Sequence, residues 1–226
     1  MPESVYERQS LKDRERVFRD RWEAGIELGK LLGELDLKSP VVLAIPSGGV
    51  PVGIEVAKML DTDFGLLFAR KLQIPGNTEA GFGACTIEGA VFLNKDLVEH
   101  LGLTDDQIEE AEEKTRQNLR HREEKFIKGG PRPDTSGRDV VIVDDGLASG
   151  YTMMAAIADA KKRGAKRVVV AAPTGSENTV SWLSRHTDMM AVPNIRAGRP
   201  FAVASAYELW YDLDDDEIIR LLKESE

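Results

Sequence analysis

Short runs of apolar, mostly β-branched residues alternate along the chain with longer segments whose apolar residues recur at helical spacing. The runs are typical of buried strands, and the spacing is typical of helices with one apolar face. The predicted strands cover residues 41–46, 64–68, 90–93, 139–143, 167–172 and 188–192. The predicted helices cover residues 13–35, 49–60, 104–128, 151–162, 176–185 and 214–223. This order predicts an α/β fold with a mostly parallel sheet, right-handed crossovers and a single domain over residues 1–226.

Residues 70–89 interrupt this alternation, because they contain several glycines and the Pro75-Gly76 pair. We expect either a long loop or an irregular hairpin there, ahead of the short strand at 90–93. A loop of that length in a compact domain is usually functional or disordered.

The predicted helix at 104–128 is polar and is inserted between two strands of the pattern. Thr104 and Gln107 have the spacing of a capping box at its start, and Gly129-Gly130-Pro131 ends it. Its thin apolar stripe consists of Ile108, Ala111, Leu119 and Phe126. A solvated helix on the surface is therefore favoured over a helix that binds a partner.

The 226 residues carry 39 acidic and 30 basic side chains, which gives a formal net charge of −9 at pH 7. This balance argues against bulk binding to nucleic acid or to an anionic membrane, because both need a basic face. A small anionic ligand remains open, since its binding depends on local groups. Residues 207–226 hold eight acidic and two basic side chains, a net of −6, so most of the charge belongs to this C-terminal segment, whose helix at 214–223 we expect to present a solvated acidic face.

The cysteine and histidine content argues against a disulfide-stabilised protein and against a metal site built on these residues. The single cysteine, Cys85, cannot form an internal disulfide framework, and the histidines at 100, 121 and 186 have no metal-ligand spacing. No apolar run approaches the ~18 residues of a membrane helix, and the charged N-terminal segment does not resemble a secretory signal. We therefore expect a cytoplasmic protein.

The segment at 140–152 combines the features of a ligand site. Four apolar residues predict a buried strand, and Asp144 and Asp145 stand at its carboxyl end, where open α/β sheets bind their ligands. A loop of small residues then leads into a helix, so backbone N–H groups and the hydroxyls of Ser149 and Thr152 can surround a phosphate. Carboxylates beside an anion site suit a phosphorylated sugar, because they accept hydrogen bonds from its hydroxyls.

A plainer alternative is a turn at Asp144-Asp145-Gly146 followed by a helix that Ser149 caps. That alternative would be favoured for the three turn residues alone. The strand before them and the helix after them favour the functional interpretation, and Gly150 supplies the backbone freedom that a phosphate loop needs.

This segment resembles the phosphoribosyl pyrophosphate (PRPP) signature of the type I phosphoribosyltransferases, in which two acidic residues and a loop rich in glycine and hydroxyls follow four apolar residues. The resemblance implies a Rossmann-like parallel sheet flanked by helices, with a flexible loop and a small hood. It implies that Asp144 and Asp145 hold the ribose 2- and 3-hydroxyls, and that the loop binds the 5-phosphate. The implied loop residues are Gly146, Leu147, Ala148, Ser149, Gly150, Tyr151 and Thr152. Ala148 departs from the commoner Thr or Ser and leaves one fewer side-chain donor.

A second segment of the resemblance follows the predicted strand at 41–46. Ser47, Gly48 and Gly49 stand where the family has its pyrophosphate loop, and a glycine pair before a helix lets N–H groups converge on a diphosphate. Many relatives carry Arg or Lys in place of Ser47, so this chain lacks a cation there. Taken alone, the segment favours a plain strand-to-helix turn.

A third segment, residues 69–84, resembles the RKL-x-x-PGN-x-E-x-x-x-GA pattern of one branch of the family. Arg70 and Lys71 follow a predicted strand, where they would reach diphosphate oxygens. Glu79 would position a substrate or cap the loop, and both roles remain open.

The resemblance implies a PRPP-dependent phosphoribosyltransferase of nucleotide metabolism, which moves the 5-phosphoribosyl group to a small-molecule acceptor, a nucleobase in most of the family, and releases pyrophosphate. Its transition state would be oxocarbenium-like. The catalytic candidates are Asp144, Asp145, Arg70 and Lys71. The implied cofactor is Mg²⁺, held through substrate phosphates with Asp144 or Asp145 as the protein's only contribution. No nucleic acid or membrane partner is expected, and a homodimer is the family's usual state.

Two other functions remain open at this stage. One is a non-catalytic PRPP or nucleotide sensor on the same scaffold, although no basic or helix-turn-helix segment is visible in the sequence. The other is a hydrolase of phosphorylated sugars, which lacks an obvious nucleophile–base pair. The aromatic residues that would stack a base, or else belong to the core, are Trp182, Phe201, Tyr207, Trp210 and Tyr211.

Overall fold

The structure is a computed structural model that describes residues 2–127, 132–198 and 200–225, without the side chains of Thr78 and Glu79. The strands are β1 (Val5–Tyr6), β2 (Val41–Ala44), β3 (Phe64–Leu66), β4 (Ala69–Ile74), β5 (Asn77–Thr86), β6 (Val91–Leu93), β7 (Asp139–Val143), β8 (Arg167–Ala171), β9 (Thr174–Ser176), β10 (Met189–Ala191) and β11 (Asn194–Arg196). The helices are α1 (Arg21–Gly33), α2 (Gly49–Leu60), α3 (Lys95–Leu101), α4 (Asp105–Ile127), α5 (Tyr151–Lys162), α6 (Glu177–Leu183) and α7 (Asp215–Glu224). A 3₁₀ turn covers Val203–Ala206.

Within the described residues, the central sheet consists of parallel strands in the order β1-β10-β8-β7-β2-β3. Strands β2 and β7 are buried at every position, because helices cover both faces of the sheet. This confirms the predicted α/β fold with a central parallel sheet. From β2 the chain passes to β3 on one side, and from β7 it passes to β8 on the other. The strand order therefore reverses between β2 and β7, which is where open sheets of this kind bind ligands.

The region at 70–89 is the irregular hairpin, not the long loop. Strands β4 and β5 pair antiparallel, with shifts of register on either side of Gln73, and β6 pairs with the far side of β5. Pro75 and Gly76 form the turn between the first two strands. The apolar residues Leu72, Phe82 and Cys85 are buried in one cluster with Leu119 of α4.

The first predicted helix, at 13–35, is wrong in its start, because α1 begins at Arg21. The Asp20 side chain accepts hydrogen bonds from the backbone N–H groups of Trp22 and Glu23 and so caps the helix there. Phe18, which fitted the helical spacing, instead forms an isolated parallel bridge with Tyr207 and packs against its ring. Tertiary contact therefore overrides the local pattern in this segment.

The polar helix is confirmed as α4, but it is docked along one face. Thr115, Leu119 and Phe126 are buried, and the Phe126 ring lies 6.2 Å from that of Phe68. The predicted end at Lys128 and the segment Gly129-Gly130-Pro131 lie outside the described residues. No helix in the described part of the chain is long and apolar enough to cross a membrane.

The sequence pattern missed the short strands β1, β9 and β11 and the helix α3. Strands of two or three residues are too short to show a periodic pattern. Helix α3 has only seven residues, so its helical spacing extends over no more than about two turns.

Candidate functional site

Two loops meet at the point where the strand order reverses. Ala44 of β2 pairs with Val143 of β7, so Ser47-Gly48-Gly49 and Asp144-Asp145 leave the same edge of the sheet. A Cβ atom built on Gly48 would lie 1.8 Å from Oδ2 of Asp145, a separation that only glycine permits. The Pro46–Ser47 peptide bond is cis. Two segments that lie about a hundred residues apart in sequence therefore form a single site.

The two helices that begin at this site, α2 and α5, have no side-chain cap at their N-termini in the described part of the chain. The side chains of Asp20, Asn94, Ser176 and Asp214 accept backbone hydrogen bonds at the starts of α1, α3, α6 and α7. Among the described residues, α2 and α5 have no such side-chain cap and no acidic residue in the first turn. At the start of α5 the first N–H groups donate to no other described residue, and with the positive end of the helix dipole they favour an anion. At the start of α2, Gly49 and Val50 donate to the carbonyl oxygens of Ile45 and Ser47 and Pro51 has no N–H, so that start offers mainly its dipole. Both of these helices begin beside the two carboxylates.

Asp144 and Asp145 form a largely buried carboxylate pair at the end of β7. The backbone N–H of Asp145 donates to Oδ1 of Asp144 at 2.8 Å. Burial raises the pKa of Asp144 well above its ordinary value, and the charge of Asp145 raises it further. Burial also raises the pKa of Asp145, against the opposing charge of Arg21. A ligand that donates hydrogen bonds to these carboxylates, or that carries positive charge, would therefore stabilise their charged form.

Arg21 is a site residue that the sequence did not reveal. Its Nε donates to Oδ2 of Asp145 at 2.9 Å, and one terminal nitrogen donates to the carbonyl oxygen of Tyr211 at 2.8 Å. The Trp210 ring stacks on its guanidinium at 3.8 Å. Arg21 begins α1, at a position that the predicted helix 13–35 placed in mid-helix, so only the fold shows that it faces Asp145.

Tyr207 holds the backbone at the same point. Its hydroxyl donates to the carbonyl oxygen of Asp145 at 2.6 Å, and its ring lies between those of Phe18 and Trp210. Burial raises the pKa of Tyr207 well above its ordinary value. Of the aromatic candidates, Tyr207 therefore contacts the backbone of Asp145, and Trp210 contacts Arg21.

The loop at 146–152 contributes mainly its backbone. Leu147 is buried in the core, and its N–H and C=O bond to Thr174 and Ser176. The Tyr151 ring packs against Trp182, and its hydroxyl accepts a hydrogen bond from the Asn94 side chain. Ala148 and Ser149 are exposed.

Gly150 ends this loop with φ +79°, in the left-handed region that favours glycine. A Cβ atom there would lie 2.8 Å from the Thr179 methyl group and 2.9 Å from the Trp182 ring. The glycine therefore allows the loop to turn directly into α5.

The Ser47 loop meets a cation from outside its own segment. One terminal nitrogen of Arg122, on α4, donates to the Ser47 hydroxyl at 2.6 Å. Arg70 is exposed at the start of β4 and donates to Oδ1 of Asn118 on α4 at 3.4 Å. Its positive charge lies close enough to Arg122 to lower the pKa of the Arg122 guanidinium. Lys71 is also exposed and lines a cavity of about 380 Å³ between the β4–β5 turn and α4. Of the predicted Arg70-Lys71 pair, Arg70 thus lies near Arg122, the cation that contacts Ser47, and both residues line the cavity beside α4.

A resident metal would have few protein ligands at this site. Among the described residues no cluster of three or more histidine, cysteine, aspartate or glutamate side chains could hold a metal ion. Two adjacent carboxylates beside open helix starts suit Mg²⁺, which binds through one or two carboxylates together with substrate phosphates.

Residues 25–206 match the family model described as the phosphoribosyl transferase domain. The chain belongs to the type I phosphoribosyltransferase family. It is 38% identical over 210 residues to "Putative phosphoribosyl transferase Rv0571c" of Mycobacterium tuberculosis, covering 92% of this chain and 46% of that protein. The chain thus spans about half the length of the curated relatives it matches. A shorter match, 41% identical over 63 residues, covers 27% of this chain and 23% of a ribose-phosphate pyrophosphokinase of Pyrococcus furiosus.

A solved structure supports the same assignment. The crystal structure of TT1426 from Thermus thermophilus is 35% identical, with a TM-score of 0.76, and the match covers 92% of this chain and 98% of that one. The phosphoribosyltransferase fold therefore extends over nearly the whole chain.

Substituting Gly48 by alanine should impair the site without unfolding the protein. The new methyl group would force the Asp145 carboxylate away, because the two atoms would be 1.8 Å apart. We expect affinity for PRPP to fall by about tenfold or more, the equivalent of one lost charged hydrogen bond, as measured by calorimetry. Gly33→Ala is the matched control, since a Cβ on Gly33 would meet nothing within 4 Å. Equal PRPP affinity of the two variants would refute this account.

Proposed function

We propose that this protein transfers the 5-phosphoribosyl group of PRPP to a nucleobase and releases pyrophosphate. The observation that carries the proposal is the pair of uncapped helix starts, α2 and α5, on either side of the Asp144-Asp145 pair. PRPP has an anionic group at each end of a sugar with two hydroxyls. The two helix starts match the anionic groups, and the carboxylate pair between them matches the hydroxyls.

In this assignment the start of α5 binds the 5-phosphate through the backbone N–H groups of the loop 146–152. Asp144 and Asp145 accept hydrogen bonds from the ribose hydroxyls, and Arg21 and Tyr207 keep Asp145 in place. The diphosphate lies against Ser47-Gly48-Gly49 and the start of α2. Each contact uses a group that the fold already orients, which limits the entropy lost on binding.

The reaction breaks the bond between the anomeric carbon and a diphosphate oxygen, and the bonding electron pair leaves with pyrophosphate. The N–H groups of Ser47 and Gly48, the dipole of α2 and nearby arginines stabilise that negative charge. The carboxylate pair stabilises the positive charge that develops on the ribose. A ring nitrogen of the acceptor then bonds to the anomeric carbon, and the proton of that nitrogen is released to pyrophosphate or water. Magnesium, when bound to the diphosphate, would neutralise part of its charge.

The acceptor is assigned to the open cavity of about 620 Å³ beside the 5-phosphate loop. The residues that line this cavity include Ala148, Thr179, Arg196 and Phe201. The guanidinium of Arg196 lies 5.5 Å from the Phe201 ring, so a flat aromatic surface and a donor stand together. A nucleobase suits such a wall, because it stacks on the ring and accepts hydrogen bonds at its edge.

The test is to supply purified protein with PRPP, Mg²⁺ and a panel of purine and pyrimidine bases, and to measure pyrophosphate release. We expect saturable release with at least one base and none without a base. Saturable PRPP binding with no release for any base would contradict the transferase and favour the non-catalytic sensor. Absence of PRPP binding would refute both.

A further inference from the structure

The Ser47 loop has no charged side chain of its own, although the proposed function requires it to face a diphosphate. Backbone N–H groups at the start of α2 supply only partial positive charge, about half an elementary charge for the helix dipole. The nearest full positive charge in contact with the loop comes from α4, where Arg122 donates to the Ser47 hydroxyl. Seventy-five residues of sequence separate the two side chains.

The structure holds Arg122 in this position from two directions. Oδ1 of Asp215, at the start of α7, lies 3.5 Å from the same terminal nitrogen that contacts Ser47. Oδ2 of Asp215 lies 2.9 Å from Nζ of Lys125. The Phe126 ring lies 5.0 Å from the guanidinium. An arginine has five N–H donors, so contacts through one nitrogen leave it able to bind a diphosphate as well.

The electrostatics of Arg122 favour an anion. Burial lowers the pKa of its guanidinium, the carboxylate of Asp215 opposes that effect, and the positive charge of Arg70 lowers the pKa further. Arg122 stays charged because arginine does not lose its proton in proteins. A partly desolvated cation beside a second cation gains from a doubly charged ligand more than an exposed lysine would.

We propose that Arg122, carried by the polar helix α4, is the pyrophosphate-binding cation of the Ser47 loop, and that Asp215 positions it. This inference rests on the proposed function and adds a residue that lies outside every motif of the sequence analysis. It also gives the inserted helix a role, because α4 brings a charge to a loop that has none. The acidic start of α7 is then part of the site's support and not only a solvated face.

The test compares Arg122→Gln with the wild-type protein by calorimetry in Mg²⁺, using inorganic pyrophosphate and ribose 5-phosphate as separate probes. We expect pyrophosphate affinity to fall by about tenfold or more, and ribose 5-phosphate affinity to stay within about twofold, because only the first probe carries the diphosphate. Arg122→Lys keeps the charge without the fork of donors, so it should recover part of the loss. Arg120→Gln is the matched control on α4, since Arg120 is exposed and pairs only loosely with Glu113 at 3.7 Å.

Three results would overturn the inference. One is unchanged pyrophosphate affinity in Arg122→Gln, and another is an equal loss in Arg120→Gln. The third is an equal loss for both probes, which would indicate damage to the whole site. Failure of the proposed function is separate and shows in the wild-type protein, which would then release no pyrophosphate from PRPP with any base, whatever its affinity for pyrophosphate.

Discussion

Replacing Asp144 by asparagine is expected to stabilise the folded protein and to weaken its binding of PRPP. Burial raises the pKa of the Asp144 carboxyl well above 3.8, its ordinary value, and the negative charge of Asp145 adds to the effect. A carboxyl whose pKa is higher in the folded state than in the unfolded state favours folding at low pH. That advantage is lost as the pH rises from about 4 through the raised pKa. Asparagine carries no charge, so it removes this cost at neutral and higher pH.

The measurements are urea unfolding at pH 8 and pH 4 and calorimetry with PRPP. At pH 8 the variant should be more stable by on the order of 1 kcal/mol, and the difference should shrink at pH 4. PRPP affinity should fall roughly 10- to 100-fold, because hydrogen bonds to a charged acceptor contribute about 1.5–3 kcal/mol. Such a gain in stability at the cost of binding is common at functional sites.

Asp139→Asn is the matched control, at the opposite end of the same strand. Asp139 is fully buried but pairs with Arg167 and accepts the Lys38 N–H, and these contacts lower its pKa despite burial. Its replacement should therefore destabilise the protein at pH 8 and leave PRPP affinity unchanged. The account fails if Asp144→Asn is less stable than the wild type at pH 8, or if it binds PRPP equally well.

Replacing Arg21 by methionine is expected to cost about 3 kcal/mol of unfolding free energy, because it leaves the Asp145 charge buried without its partner. The two side chains are only 7% and 15% exposed, so solvent screens the pair little. Methionine keeps much of the packing against Trp210, so the loss reports mainly on charge and hydrogen bonds. The pKa of Asp145 should rise further without Arg21, which makes the destabilisation larger at pH 8 than at pH 5.

Arg8→Met is the control for this prediction. Arg8 pairs with Glu34 at 2.6 Å, but these side chains are 27% and 58% exposed, and exposed pairs contribute at most about 1 kcal/mol. Urea unfolding of the two variants at both pH values measures the difference. A loss in Arg21→Met no larger than that in Arg8→Met would show that the Arg21–Asp145 pair is not important for stability.

Much of the site could be predicted from the sequence because its parts are local. The strand β7, the two carboxylates at its end and the loop into α5 occupy one continuous segment, and apolar runs of that kind have few alternatives to a buried strand. The loop at Ser47-Gly48-Gly49 is likewise defined by its place between β2 and α2. The assignment of ribose and phosphate contacts to these residues stays a prediction until the variants are measured.

The contacts of the remaining site residues could not be predicted, because nothing local marks them, and Tyr207 was named only as one of five aromatic residues that would stack a base or belong to the core. Arg21 was assigned to the middle of a helix that in fact begins there, and Arg122 is one of several charged residues along a polar helix. Tyr207 follows the 3₁₀ turn, and only the bridge to Phe18 brings it beside Asp145.

Local pattern thus determined the α/β class, the central strands and the position of the acidic pair and its following loop at the end of β7. The tertiary structure decided which distant cations and aromatic rings surround that pair, and it placed the polar helix against the Ser47 loop. The physical reason is that a strand or a turn depends on neighbours a few residues away, whereas an ion pair depends on the packing of whole helices. Arg21 meets Asp145 across 124 residues of sequence, and no periodicity along the chain encodes that distance.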